Sequence, residues 1–174
     1  MENARLSEYD KDVLLNRLMN TYGTNVLRVC FLYLRDHQLA QDAAQTTFMK
    51  AWSALDRLRD STTEKAWLMT IAVNTCKSTL RSREYRLYAQ GADLENLPEP
   101  SADPVTPDRT VYNAVQSLPD KYRDVVILHY YQGLPATEVA RALRLPQATV
   151  RTRLHRARAL LEPMLKGWYL NDDE

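Results

Sequence analysis

Apolar positions recur at helical spacing through most of this chain, and the gaps between the periodic segments are polar or carry proline or glycine. Residues 7–20 place Val13, Leu14 and Leu18 on such a spacing behind Ser7, a side chain suited to cap a helix N-terminus. Thr21-Tyr22-Gly23 is a weak point, either a break or a kink, after which Val26, Val29, Cys30, Tyr33 and Leu34 fall on or near one face. In residues 37–55, Ala40, Ala44, Phe48, Ala51, Trp52 and Leu55 gather on one arc broad enough for bundle packing. The other arc carries Asp42, Gln45, Thr46 and Met49. Met49 there is either a stray exposed side chain or the soft centre of a docking patch rimmed by hydrogen-bonding groups.

Residues 56–63 read as a helix end and a polar loop, and the spacing then predicts a long helix from about Thr63 to Arg86. Its core arc holds Leu68, Met69, Ala72, Val73, Cys76 and Leu80. Its opposite arc holds Trp67, Thr70, Asn74, Lys77, Ser78, Arg81 and Tyr85. Aromatics among an amide, hydroxyls and cations suit the stacking of unpaired bases, and equally suit packing on a neighbouring loop or helix. Residues 89–109 then change character, with four prolines, a glycine and five carboxylates against one arginine, which predicts an extended linker. A second helical unit is expected from about Val111, with Pro119 in the first turn of a helix that Gly133 closes.

The stretch from Pro135 to Leu161, PATEVARALRLPQATVRTRLHRARALL, organises the rest. It divides at Arg144-Leu145-Pro146 into a short helix, Ala136 to Leu143, and a longer one, Gln147 to about Leu161, joined by a tight turn. That is the layout of a helix-turn-helix. On the second helix Val150, Leu154, Ala157 and Leu161 form a docking stripe, and Arg151, Thr152, His155 and Arg156 fall on the opposite arc without a carboxylate. The whole chain has a formal net charge of only +1, yet six arginines and one lysine face a single glutamate between Arg141 and Lys166. Such a local excess favours phosphate contact with release of counterions.

Composition narrows the class. With 174 residues, 45% apolar content and four glycines, the expectation is an all-α protein of two helical domains. Cys30 and Cys76 stand far apart without a Cys/His cluster, so free buried thiols are expected, with no disulfide framework and no metal site. Neither a glycine-rich phosphate loop nor a set of nucleophile, base and orienter is visible, so no enzyme activity, cofactor or small-molecule substrate is expected. No leader opens the chain and no apolar run approaches the roughly 20 residues that cross a bilayer, which predicts a cytoplasmic protein.

Two blocks carry a resemblance. DAAQTTFMKAWSALDRLR followed by WLMTIAVNTCKSTLR is similar to the D-x-x-Q-x-x-F-x-x-A-W and W-L-x-x-I-A-x-N pattern of extracytoplasmic-function (ECF) sigma factors, and SLPDKYRDVVILHYYQGLPATEVARALRLPQATVRTRLHRAR resembles their C-terminal block. The resemblance implies a region 2 domain over residues 1–86, a linker over 87–110, and a region 4 domain over 111–174 ending in a short acidic tail. It implies that Asp42, Gln45 and Met49 dock on the β′ clamp of core RNA polymerase, with a further contact to the β flap. It also implies that Asp60, Ser61, Thr62, Thr63, Trp67, Asn74, Lys77 and Arg81 take up single-stranded minus-ten promoter DNA, and that Arg151, Thr152, His155 and Arg156 read the minus-thirty-five element. An anti-sigma factor is the expected regulator and the one indirect route to a membrane.

This chain departs from the family's pattern at several positions. Asp60 and Glu64 stand where glycine and an aromatic residue are frequent, and a carboxylate there opposes a phosphate backbone. Pro135, Arg144 and Ala148 also differ, and Arg144 has to accept the turn conformation at some cost. Two other readings make different predictions: a free-standing helix-turn-helix repressor or activator binds duplex DNA without polymerase, and a helical adaptor needs no DNA contact from Arg151 or Arg156.

Overall fold

The computed structural model describes residues 5–58, 60–89 and 109–169, and among these there are helices and turns but no strand. The chain divides into two compact units, Met1–Asp103 and Pro104–Glu174. Most of the predicted linker, residues 90–108, and the acidic tail, residues 170–174, lie outside the described residues.

The first unit is a three-helix bundle of α1 (Glu8–Leu34), α2 (His37–Ala54) and α3 (Glu64–Ala89), each packed on the other two. Ser7 caps α1 as its sequence position suggests, accepting the Asp10 N–H at 3.1 Å. Gly23 neither breaks nor ends the helix, which is 27 residues long in all and runs on to Leu34. A β-carbon built at Gly23 would meet nothing within 4 Å, so no close approach requires glycine there. The helix stops at Arg35, whose left-handed backbone (φ 57°) sends its N–H to the Phe31 carbonyl at 2.8 Å. Asp36 then caps α2 through the Leu39 N–H at 2.9 Å, leaving two residues for the connection.

The core of this bundle is Leu18, Val26, Val29, Cys30 and Leu32 from α1, Ala40, Phe48, Ala51 and Leu55 from α2 and the following turn, and Leu68, Met69, Ala72, Val73 and Cys76 from α3. The face expected for α2 is shifted. Ala43 and Thr47 are buried, while Ala44 and Trp52 are half-buried, because α2 contacts two helices rather than one. Thr47 tolerates burial by donating its hydroxyl to the Ala43 carbonyl at 2.7 Å. Cys30 and Cys76 are both buried and free, and they hydrogen-bond each other between α1 and α3. That contact, with burial, pushes the Cys76 thiol far above its ordinary range.

The second unit comprises α4 (Arg109–Ser117), α5 (Asp120–Val126), a π-helical turn (Ile127–Tyr131), α6 (Ala136–Leu143) and α7 (Gln147–Tyr169). Val115, Leu118, Val126 and Ala157 form one core cluster, against which Val111, Tyr122, Tyr131 and Leu161 pack. Pro119 sits just ahead of α5 rather than in its first turn, with ψ 144° and its carbonyl receiving the Tyr122 and Arg123 N–H groups. Gly133, at φ 67°, ends the π turn. The two helix-turn-helix elements begin where the spacing predicts, but α7 runs past Leu161 and carries Pro163 within it. The residue opposite Pro163 on the helical ladder loses one N–H partner, and Pro163 itself is exposed, so water can satisfy the freed carbonyl.

Candidate nucleic-acid interface

The rotation of α7 is set by its buried stripe. Val150, Leu154 and Ala157 are buried, Leu161 is half-buried, and Arg151, Thr152, His155 and Arg156 are consequently all exposed on the far side. Thr152 donates its hydroxyl to the Ala148 carbonyl at 3.0 Å, which fixes its rotamer. Arg156 hydrogen-bonds the phenol of Tyr122 on α5, and the Lys121 ammonium lies 5.0 Å from the centre of the same ring. Chiefly through the Arg156 hydrogen bond, these cations hold the Tyr122 hydroxyl below its ordinary range.

The turn ahead of α7 explains the departure at Arg144. Arg144 adopts φ 54°, ψ 47°, and its N–H reaches the Arg141 carbonyl at 3.3 Å while the Leu145 N–H reaches the Ala140 carbonyl at 2.9 Å. This pair of bonds is a Schellman motif, which usually places glycine at the left-handed position. Arg141 and Arg144, from α6 and the turn, are both exposed as well.

In the first unit the loop residues arrange themselves around Asp60. Its carboxylate accepts the Thr62 N–H at 2.8 Å and the Thr62 hydroxyl at 2.7 Å, and its carbonyl accepts the Thr63 hydroxyl at 3.0 Å. Those bonds to Thr62 hold the Asp60 carboxyl below the usual carboxylate range, so it stays ionised. Asp60, Ser61 and Thr62 are exposed and Thr63 is half-buried. The repulsion expected from Glu64 has a structural answer: Glu64 is only 4% exposed, and its carboxylate is gripped by both terminal nitrogens of Arg17 from α1. On α3, Trp67 and Lys77 are half-buried while Asn74 and Arg81 are exposed, and the four follow one strip of the helix. The Tyr85 side chain, expected on this strip, lies outside what is described.

On α2, Asp42, Gln45 and Met49 follow one another at helical spacing, all exposed, Met49 to 65%. Asp42 accepts the Gln38 amide at 3.2 Å. Beside this strip a groove of about 620 Å³ opens between α1 and α2, lined by Leu15, Met19, Leu27, Phe48, Met49 and Trp52 among others. The α1 side of it was not legible as a site, because Met19 and Leu27 read as ordinary members of an amphipathic helix. Trp52 is anchored at its rim by its indole N–H, which donates to Asp12 at 2.9 Å. A second groove, of about 470 Å³, lies in the other unit among Val111, Val115, Tyr130, Leu161 and Leu165.

Comparison with known proteins agrees with both halves. Residues 18–86 match the family described as Sigma-70 region 2, and residues 108–161 match Sigma-70, region 4. The chain is 30% identical over 171 residues to the ECF RNA polymerase sigma factor SigW of Bacillus subtilis, covering 90% of this chain and 91% of that one. It is 31% identical over 163 residues to the RNA polymerase sigma-H factor of Pseudomonas aeruginosa, covering 86% and 84%. Among solved structures it resembles the sigma factor RpoE from Bartonella quintana, crystallised with the anti-sigma factor NepR, with a TM-score of 0.74 at 25% identity over 87% of this chain and 96% of that one. A further likeness is to CnrH in complex with the cytosolic domain of CnrY, with a TM-score of 0.64, 25% identity and 88% of each chain covered. A helical bundle of the region 2 type and a helix-turn-helix of the region 4 type, in this order and over nearly the whole chain, make this protein a member of the ECF sigma factors.

Proposed function

We propose that this chain binds core RNA polymerase through its first unit and directs it to promoters that carry paired minus-ten and minus-thirty-five elements. The observation that carries the reading is the exposure of Arg151, Thr152, His155 and Arg156 together on one face of α7, with no carboxylate among them, behind a fully packed helix-turn-helix. Arginine forks suit the major-groove edge of guanine, and threonine and histidine supply further hydrogen bonds to base edges or phosphates. Asp42, Gln45 and Met49 beside the α1–α2 groove offer an apolar surface with a polar rim, which suits the β′ clamp of the polymerase. The groove of the second unit is the proposed seat for the β flap.

Asp60 to Thr63, with Trp67, Asn74, Lys77 and Arg81 along α3, take up the opened minus-ten strand in this reading, Trp67 by stacking and the cations by phosphate contact. Proposed domain limits are residues 1–86 and 111–174, with 87–110 between them. One solved relative, RpoE of Bartonella quintana, was crystallised with an anti-sigma factor, which supports the same mode of control here. No described helix is long and apolar enough to cross a membrane, so any membrane link would run through such a partner.

Transcription from a promoter library by purified core RNA polymerase, with and without the protein, tests the proposal. New start sites sharing two spaced motifs are the expected result. Absence of new starts, together with tight duplex binding by the free protein, would instead make it a self-sufficient repressor or activator.

A further inference from the structure

The segment between α2 and α3 is held at both of its ends by the same helix. At its start, Asp56 accepts the Lys11 ammonium at 2.7 Å and the Leu6 N–H at 3.0 Å. At its finish, Glu64 opens α3 directly after Ser61–Thr63 and receives the Arg17 guanidinium, Nη1 to Oε2 at 3.0 Å and Nη2 to Oε1 in a parallel bond. Lys11 and Arg17 both belong to α1, less than two turns apart. Between the anchors, the Asp60 bonds to Thr62 and Thr63 close the remaining turn.

Three physical consequences meet at Glu64. A carboxylate that is 4% exposed needs a partner, and a two-pronged arginine contact fixes direction as well as distance. Its charge is cancelled within the pair, so it no longer opposes an incoming phosphate backbone. As the first residue of α3, it also transmits its position directly to the loop before it.

We infer that Arg17 is a positioning residue for minus-ten recognition: by gripping Glu64 it preforms the Asp60–Thr63 loop in the shape that receives the unpaired strand, while Lys11 and Asp56 anchor the other end. This rests on the minus-ten reading above. Arg17 itself touches no DNA in this arrangement; it acts through Glu64, and its loss frees the loop to sample other shapes before the strand arrives. Preorganisation of this kind lowers the ordering cost of binding.

The test uses the full chain with core polymerase, comparing wild type with Arg17→Ala, Arg17→Lys and the charge-swapped pair Arg17→Glu/Glu64→Arg. Three readouts are taken: affinity for core enzyme, base preference at each minus-thirty-five and minus-ten position, and promoter opening followed by permanganate reactivity of unpaired thymines. Arg17→Ala is expected to slow opening by about tenfold and to flatten the preference at the minus-ten position that the loop receives. Core affinity and minus-thirty-five preference should stay within about twofold of wild type, a spread of the size typical for distant independent sites. Arg17→Lys, which keeps the charge but not the fork, should fall between, and the swapped pair should recover part of the loss.

Unchanged opening and minus-ten preference in Arg17→Ala would overturn the inference. So would an equal loss of core affinity, minus-thirty-five reading and opening, since the pair would then only hold the fold together. Should Arg17→Ala fail to fold by circular dichroism, Arg17→Lys decides on the same criteria. A wild-type protein that opens no promoter would refute the function proposed above, a result distinguishable from an active wild type with an equally active Arg17→Ala.

Discussion

Replacing Arg144 with glycine should stabilise the second unit. The backbone there is left-handed, φ 54°, ψ 47°, and every residue with a β-carbon is strained by about 1–2 kcal/mol in that region. Glycine removes the strain but loses more conformational freedom on folding, which offsets about 0.5–1 kcal/mol. The Arg144 side chain is exposed and the bonds of the turn are made by the backbone, so little else is given up. The net gain is about 0.5–1 kcal/mol, which in a domain of this size raises the melting temperature by about 2–8 °C. Arg144→Ala is the control: it removes the same charge yet keeps the β-carbon, and should gain nothing. Gly133→Ala is the converse. It has φ 67° and open space around a built β-carbon, so backbone strain alone should cost about 1 kcal/mol. Circular dichroism melting of the full chain measures the shifts, and hydrogen exchange of the α6 amides assigns them to this unit. If Arg144→Gly melts no higher than Arg144→Ala, the strain argument fails.

Three further outcomes are expected. Arg156→Ala should lower discrimination at one minus-thirty-five position by about 1–3 kcal/mol while leaving core polymerase binding intact; equal transcription from cognate and scrambled elements by both proteins would remove its assigned role. Replacing Asp42 and Gln45 together with alanine should weaken core polymerase binding by about tenfold without moving the melting curve, and unchanged affinity in a binding titration would withdraw the docking assignment. The Lys11 hydrogen bond, with that of the Leu6 N–H, holds the Asp56 carboxyl below the usual carboxylate range. A depressed folded value means the pair stabilises the fold above the unfolded value of about 4 and loses that contribution as pH falls through the folded value. Denaturant midpoints of wild type and Asp56→Asn should therefore differ at neutral pH and converge on acidification, whereas a constant gap would count against the pair.

What could be read in advance divides along physical lines. The helix-turn-helix was legible almost residue by residue, because Val139 and Val150 sit on apolar faces close in sequence to the Pro146 that separates the helices. The bundle core of α3 was legible for the same reason: its stripe is a local pattern, and Leu68, Met69, Ala72, Val73 and Cys76 are all buried. At Gly23, of the two readings a break or a kink, the break does not form, because glycine weakens helix propensity by only about 1 kcal/mol, which packing of the flanking turns readily outweighs. Glu64 was legible as a carboxylate in an unexpected place, but its partner Arg17 lies 47 positions away and no local signal joins them. The same holds for Tyr122, which meets Arg156 only after α5 and α7 have packed. Contacts of this length are products of the fold, and they are where the site acquires residues that its motifs do not contain.

The two thiols of this protein form a built-in clock. Both lie in the first unit, fully covered between α1 and α3, and the Cys76 thiol is pushed up so far that almost no thiolate exists at neutral pH. A thiol reagent added to the native protein must therefore wait for α1 to lift from α3, and the labelling rate counts those separations. Because no other cysteine is present, the signal reports on this bundle alone, even within a large polymerase complex that has been prepared with cysteine-free subunits. Labelling that slows when core enzyme is bound would measure directly how much the partner steadies the bundle.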